Sequence, residues 1–293
     1  RLILLDLDGT VLRKDGLSIH KRTVDAVIRA KENGHTICLI TGRPNRAANR
    51  FYHELGLTTL MTNFDGAHIH DPLKRHFKRF IFPISEENVY DIINNAEVKK
   101  YAKNILIESY DKAVVQKKDE FIEKFFHLDD VEGDEYFIAD PYTTWNGNAT
   151  NIVILTKDDD DKDIILRSLE KFKNTIKIQS GSIYGNITDN SFCMISLTNK
   201  IVNKGFVTEI LAQYYNKDVR DVIAFGDQMN DLRLIQKNYT LLCLKMTLMH
   251  TMCEQKKLGF SPITFLKEPV KLTSEMLDKD HVVLIVKSFL TVD

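Results

Sequence analysis

Four cysteines in 293 residues, Cys38, Cys193, Cys243 and Cys253, lie scattered with no CxxC pair. That excludes a dense disulfide framework and points to buried or inert thiols in a reducing compartment. No stretch approaches the ~18 consecutive apolar residues that cross a bilayer, and nothing near the first residue reads as a secretory signal. A cytoplasmic protein with no membrane partner is therefore expected. Forty basic residues stand against 41 acidic ones, a net charge of −1, so the large basic face that nucleic-acid binding needs is missing. No internal repeat is visible. What remains, 43% hydrophobic and 28% charged residues, is an ordinary globular composition. The length is beyond that at which one core usually keeps growing, and two domains are expected.

The chain begins "RLILLDLDGTVL". A short apolar run bounded by polar and turn residues predicts a strand buried on both faces, yet it ends in Asp6 and Asp8. Two carboxylates two residues apart at a strand end share one side of the pleat, repel one another and lose solvation. A positive charge is required near them. Next, "SIHKRTVDAVIRAKENG" places Val24, Val27 and Ile28 at helical spacing and stops at Gly34. "HTICLITG" reads as a second buried strand, "RPNRAANRFYHELG" as a helix with Ala48, Phe51 and Leu55 on one face, and "TLMTNFDGA" as a third strand. This rhythm predicts an α/β fold with a doubly wound parallel sheet, whose ligand sits at the carboxyl ends of the strands. From Phe82 the pattern changes to mixed helices and alternating strands, the mark of an α+β insertion. The parallel rhythm returns with "KGFVTEILAQYYN", "DVIAFGD", "NDLRLIQKN" and "YTLLCL". The expected organisation is a core of residues 1–81 and 190–293 interrupted by a cap of residues 82–189.

Four polar clusters fall where strands end or helices begin: "DLDGT", "TGR" at Thr41, Gly42 and Arg43, Lys204 opening a helix, and "GDQMND" from Gly226 to Asp231. Each is common alone, but together on one sheet edge they meet the needs of phosphoryl transfer. A hard divalent cation, Mg²⁺, would let Asp6, Asp8, Asp227 and Asp231 tolerate one another.

These four clusters in this order resemble the haloacid dehalogenase (HAD) superfamily of phosphatases, a Rossmannoid fold, and the cap's position resembles its Cof-type branch. The resemblance implies a Mg²⁺-dependent phosphatase in which Asp6 is the nucleophile and forms an aspartyl-phosphate. Asp8 would protonate the leaving oxygen and then activate water. Gly9 and Thr10 would shape the turn that aims backbone N–H groups at phosphate, Thr41 would donate its hydroxyl, and Lys204 would neutralise charge. Asp6, Asp8 through its carbonyl, Asp227 and Asp231 would hold the metal, with Asn230 orienting a carboxylate or metal water. Gly42 completes the loop, and Arg43 would meet a phosphate, the cap's polar groups or an acidic loop. The expected partner is a small phosphorylated metabolite, a sugar phosphate first among the classes. A phosphomutase on the same Asp pair and a non-catalytic phosphometabolite-binding regulator are the alternatives.

Two departures from the family pattern stand out. The Asn-Gly-Ala turn after the third strand is here Asp65-Gly66-Ala67, and the Gly-Asn-Ala segment after the fifth is Lys245-Met246-Thr247. An acid facing a phosphate site would repel it, so Asp65 is expected to contact the cap or substrate hydroxyls, while Lys245 leaves a cationic contact open. In the cap, the acidic run Asp158 to Asp161 reads as a solvated loop, and "PLKRHFKRF" as a strand or hairpin. Trp145 in "DPYTTWNGNAT" is either a packed anchor, the preferred reading, or a platform over a sugar.

Overall fold

The computed structural model describes residues 1–13, 15–110, 112–126, 128, 136–182, 193–226 and 240–243. In chain order its elements are β1 (Leu2–Leu5), α1 (Lys21–Glu32), β2 (Thr36–Ile40), α2 (Asn45–Glu54), β3 (Met61–Asn63), β4 (His68–His70) and β5 (Phe80–Ile81). Then come α3 (Glu86–Ile93), α4 (Ala96–Tyr101), β6 (Ala102–Glu108), β7 (Ala113–Val115), α5 (Glu120–Phe125), β8 (Tyr136–Ile138), α6 (Pro141–Thr144), β9 (Asn151–Thr156), α7 (Asp159–Leu169), β10 (Ile176–Ser182) and β11 (Cys193–Asn199). The last described elements are α8 (Lys204–Tyr214), β12 (Val222–Gly226) and β13 (Thr240–Cys243).

The chain divides into two units. The first holds Arg1–Gly42, Ala48–Lys78 and the residues from Asn203 on; the second holds Arg43–Ala47 and Arg79–Val202. The division falls at 78/79 and 202/203 instead of the expected 81/82 and 189/190, because β11 pairs antiparallel with both β9 and β10 and so belongs to the second unit's sheet.

In the first unit the strands run β13, β12, β1, β2, β3, β4 across the sheet. The β13–β12, β12–β1, β1–β2 and β2–β3 pairs are parallel and β3–β4 is antiparallel. All four residues of β1 are buried, as a central strand covered on both faces requires. Helix α1 buries Thr23, Ala26, Val27 and Ala30, spaced i, i+3, i+4, i+7. Its inner stripe is thus one residue away from the expected one, and Ile28 faces out. Ala48 and Phe51 of α2, and Leu55 directly after it, are fully buried, as their spacing predicts. The basic run after Pro72 is strand only at Phe80–Ile81. Before it, Asp71 accepts from the Leu73 N–H at 3.0 Å and pairs with Arg75 through Nε at 2.8 Å and Nη2 at 3.0 Å. That Asx-type turn, not a hairpin, organises the segment.

The second unit is built on the strand order β10, β11, β9, β6, β7, β8, antiparallel except for β7–β8. One sheet face, with Ile105, Ile107, Ile152, Ile154, Ile195 and Leu197, packs with Val89, Ile92, Val98, Ile165 and Leu169 of the helices. The other packs Leu106, Val115, Val153 and Leu155 with Ile122, Phe126 and Leu128. Trp145 sits in the first of these clusters, its Nε1 donating to the Gly147 carbonyl at 3.1 Å with Lys112 Nζ 4.5 Å above the ring. It is the packed anchor. The acidic run is not a loop but the start of α7: Asp158 caps the helix by accepting from the Asp161 N–H at 2.9 Å. Asp159, Asp160 and Asp161 form the first turn, where the helix dipole favours acids. Glu108 is wholly buried, pairs with Arg46 and accepts from Asn151 Nδ2 at 3.0 Å.

Among the described residues, no helix is long and apolar enough to cross a membrane.

Candidate active site

The carboxyl ends of β1, β2 and β3 bring together the polar residues of the first unit. The register Leu5 to Leu39 and Leu39 to Met61 sets these ends side by side. Asp6 follows β1 directly, and its N–H donates to the Phe225 carbonyl of β12 at 3.1 Å. Its side chain is 6% exposed and lies 3.0 Å from Nζ of Lys204, itself 2% exposed. The positive charge that the opening carboxylates require is therefore supplied in part by this lysine. Lys204 can be there because it begins α8: the Asn203 side chain caps the helix by accepting from the Phe206 N–H at 3.0 Å. An Asn directly before an apolar-periodic run is the signal that locates this start.

After Asp6 the chain makes a wide turn through Leu7–Val11, closed by the Leu12 N–H donating to the Leu7 carbonyl at 2.9 Å. Asp8 is half-buried and extended, and Gly9 takes φ +74°, the left-handed region where glycine carries no steric penalty. Thr10 is buried, and its Oγ1 has no hydrogen-bond partner among the described residues. A buried unpaired hydroxyl costs about 1–3 kcal/mol, a penalty that a bound oxyanion would remove.

Thr41 follows β2 and is fully buried. Its N–H donates to the Thr62 carbonyl at 3.1 Å and its carbonyl accepts from the Asp65 N–H at 3.0 Å, which ties the Thr41-Gly42 loop to the end of β3. Gly42 is exposed, and Arg43, half-buried, belongs to the second unit. The turn after β3 is tight: Phe64, Asp65 and Gly66 have φ of +52°, +55° and +110° in succession. A Cβ on Gly66 would lie 2.1 Å from Cγ2 of Val207, so only glycine lets α8 pack here. An oxygen of the Asp65 carboxylate stands 3.4 Å from where a side chain on Gly42 would begin. Neither the strained turn nor the placement of Asp65 was visible in the sequence beyond the glycine itself.

Asp227, Asn230 and Asp231 lie outside the described residues, as does Lys245. Gly226 ends β12 one residue before Asp227. Among the described residues no group of three metal-ligating side chains is complete. The donors present at this edge, the carboxylate of Asp6 and the carboxylate and carbonyl of Asp8, are all oxygen, the type that a hard cation such as Mg²⁺ takes.

A family profile of haloacid dehalogenase-like hydrolases matches residues 3–244. A Metamycoplasma hominis protein named as a phosphatase of the upp 3′ region is 30% identical, over 80% of this chain and 81% of that one. The 5-amino-6-(5-phospho-D-ribitylamino)uracil phosphatase YitU of Bacillus subtilis is 28% identical, over 80% of this chain and 83% of its own. Among solved structures, a haloacid dehalogenase-like hydrolase from Bacteroides thetaiotaomicron superposes with a TM-score of 0.70 at 19% identity, over 99% of both chains. With a profile match across most of its length, the chain belongs to the haloacid dehalogenase-like hydrolases, in their Cof-type phosphatase branch.

Proposed function

We propose that this protein is a cytoplasmic, Mg²⁺-dependent phosphatase that hydrolyses small phosphorylated metabolites, sugar phosphates in particular, through an aspartyl-phosphate. The observation that carries the reading is the buried Asp6–Lys204 pair, 3.0 Å apart, at the carboxyl edge of a parallel sheet. A buried carboxylate 3.0 Å from a buried lysine Nζ is a nucleophile placed next to the charge that an incoming phosphoryl group needs.

In this mechanism a carboxylate oxygen of Asp6 attacks phosphorus, and the ester oxygen leaves with a proton from the Asp8 carboxyl. Asp8 then takes a proton from water as the water oxygen attacks the aspartyl-phosphate, which releases inorganic phosphate and restores Asp6. Lys204 offsets charge on the equatorial oxygens and on Asp6. Thr41 and Thr10 donate hydroxyl hydrogen bonds to the same oxygens, and the Asp8–Thr10 turn adds N–H donors near Gly9. Gly42 leaves the loop open to the phosphoryl group. Asp6, the Asp8 carbonyl, Asp227 and Asp231 would hold Mg²⁺, with Asn230 orienting them. The cation would supply charge neutralisation between the nucleophile and the phosphoryl oxygens.

Residues Arg79–Val202 act as the cap that chooses the leaving group and excludes water. The sugar-phosphate class is supported by the relative YitU, whose named substrate carries a phosphorylated ribityl chain. Cytoplasmic action is supported by the thiols of Cys38 and Cys193, both free.

Phosphate release is to be measured across sugar phosphates, nucleotides, pyridoxal phosphate and p-nitrophenyl phosphate, with Mg²⁺ and with chelator. Mg²⁺-dependent release concentrated on a few sugar phosphates is expected. Release that chelator leaves unchanged would overturn the metal requirement, and no release at all would overturn the phosphatase.

A further inference from the structure

The first unit's sheet has a second concave site, at the edge opposite the catalytic one. At the amino ends of β2 and β3 lies a cavity of about 310 Å³. Its walls include Lys31 near the end of α1, His35 and Thr36 where β2 begins, Leu57 and Thr59 before β3, and Tyr215 directly after α8. Strand β2 runs five residues, Thr36–Ile40, from this cavity to Thr41, roughly 16 Å at about 3.3 Å per residue. A small molecule held here therefore does not reach the catalytic carboxylates.

Hydrogen bonds fix the walls. The Tyr215 hydroxyl accepts from the Leu60 N–H at 2.7 Å, the Tyr52 hydroxyl donates to the Thr59 carbonyl at 2.7 Å, and the Thr59 hydroxyl donates to the Ile37 carbonyl. Lys31 Nζ donates to the Gly56 carbonyl, which uses one of its three hydrogens. A cavity shaped in advance costs a ligand little in ordering.

The charge at the walls has one sign. Lys31 and His35 are both half-buried, and no carboxylate lines the cavity among the described residues. Burial, and then the cationic groups of Arg1 and Lys217, hold the His35 imidazole below its ordinary pKa, so cations converge here from both ends of the first unit's sequence. Beside Thr58, the carboxylate of Asp71 is already engaged by Arg75, whose Nη2 donates to the Thr58 carbonyl at 2.8 Å. Concave, partly desolvated cations without a facing acid concentrate anions. The volume is at the lower end of small-molecule sites, about 300 Å³, which leaves room for a hydroxylated body beside the anionic group.

We propose that this cavity binds a small hydroxylated oxyanion, a carboxylate or a phosphate, on Lys31 and His35, at a site separate from the catalytic edge. The proposal does not depend on the phosphatase reading.

The test is an amide NMR titration of the protein in chelator with gluconate, inorganic phosphate and, as an uncharged control, sorbitol. Gluconate and phosphate are expected to move the signals of Lys31, residues 35–37, residues 57–59 and Tyr215, and sorbitol to move none of them. The tighter of the two anions identifies the anionic group the cavity takes. Lys31→Gln and His35→Gln should each weaken this binding about tenfold, the usual order for loss of one charged hydrogen-bond partner, and Lys31→Arg should retain it. Signals elsewhere that coincide with those of wild type verify that each variant is folded. Neither anion moving this set, sorbitol moving it as far as gluconate does, or folded Gln variants that bind as wild type does, would overturn the proposal.

Discussion

Replacing Lys204 with methionine removes the ammonium while keeping much of the side-chain volume, and its effect can be worked from the structure. The pair is 3.0 Å apart with partners 2% and 6% exposed. At an effective dielectric of about 20 that separation corresponds to about 5.5 kcal/mol of attraction, most of it offset in the native protein by the desolvation of both ions. Removing the lysine alone leaves Asp6 buried with the desolvation and without the attraction, a loss of about 3–5 kcal/mol. The carboxyl has an escape, which is to bind a proton. At pH 7 protonation costs about 1.4 kcal/mol for each of the roughly three units above an ordinary aspartate pKa, so the penalty is capped at about 4 kcal/mol.

That escape sets the sign of the pH dependence. In Lys204→Met the folded pKa of Asp6 is raised above its unfolded value, so the variant loses stability as pH rises from about 4. Its deficit relative to wild type should therefore shrink by roughly 1.4 kcal/mol per unit between pH 7 and pH 5. Asp6→Asn/Lys204→Met carries neither charge and should recover most of the loss. Urea unfolding of wild type, both single variants and the double variant, at pH 7 and pH 5 in chelator, measures all of this. A pH-independent deficit, or a double variant whose loss equals the sum of the two singles, would refute the pairing. The same lysine variant should lose about 10²–10³ in kcat.

Asp8→Asn should slow hydrolysis more for sugar phosphates than for p-nitrophenyl phosphate, whose leaving group needs little protonation; equal losses would remove Asp8 as the acid. In the second unit, Glu108→Ala strands Arg46 beside a wholly buried position, and a loss of about 3–5 kcal/mol in urea unfolding is expected. Arg46→Met/Glu108→Leu should restore most of it. Burial pushes the Cys38 thiol up to about 12, so native Cys38 should resist iodoacetamide at pH 8 to 10 and react once the chain is unfolded. Because that folded pKa lies above the unfolded one, wild type should lose stability relative to Cys38→Ala as pH rises above about 9.

Much of the core was legible in residue order. "LILL" was readable as a central strand because all four residues are apolar, and it is buried throughout. The Ala48, Phe51, Leu55 stripe was readable because a helix buried on one face keeps the 3.6-residue period. The second boundary was expected at 189/190, before the strand "CMISLTN", whose residue order alone does not say where the insertion ends. Only its pairing with β9 and β10 decides. The acidic run was misread because solvated loops and helix N-termini share a taste for aspartate, and Asp158 is distinguished only by its cap to Asp161. At the site, Asp6, Thr41 and Lys204 could be placed because strand ends and helix starts carry local signals. The left-handed Phe64 and Asp65 could not: Phe64 has no propensity for such a turn, and the contacts at its next two residues, Asp65 with Thr41 and Gly66 with Val207 of α8, are distant in sequence.

The central claim is that Asp6 carries the phosphoryl group. The most direct measurement is an acid quench of the protein mixed with a ³²P-labelled sugar phosphate and Mg²⁺, followed by mapping of the label. The account predicts a hydroxylamine-labile label on Asp6, forming and decaying within turnover and absent from Asp6→Asn, which should be folded and inactive. Label on any other residue, or hydrolysis retained by Asp6→Asn, would contradict it.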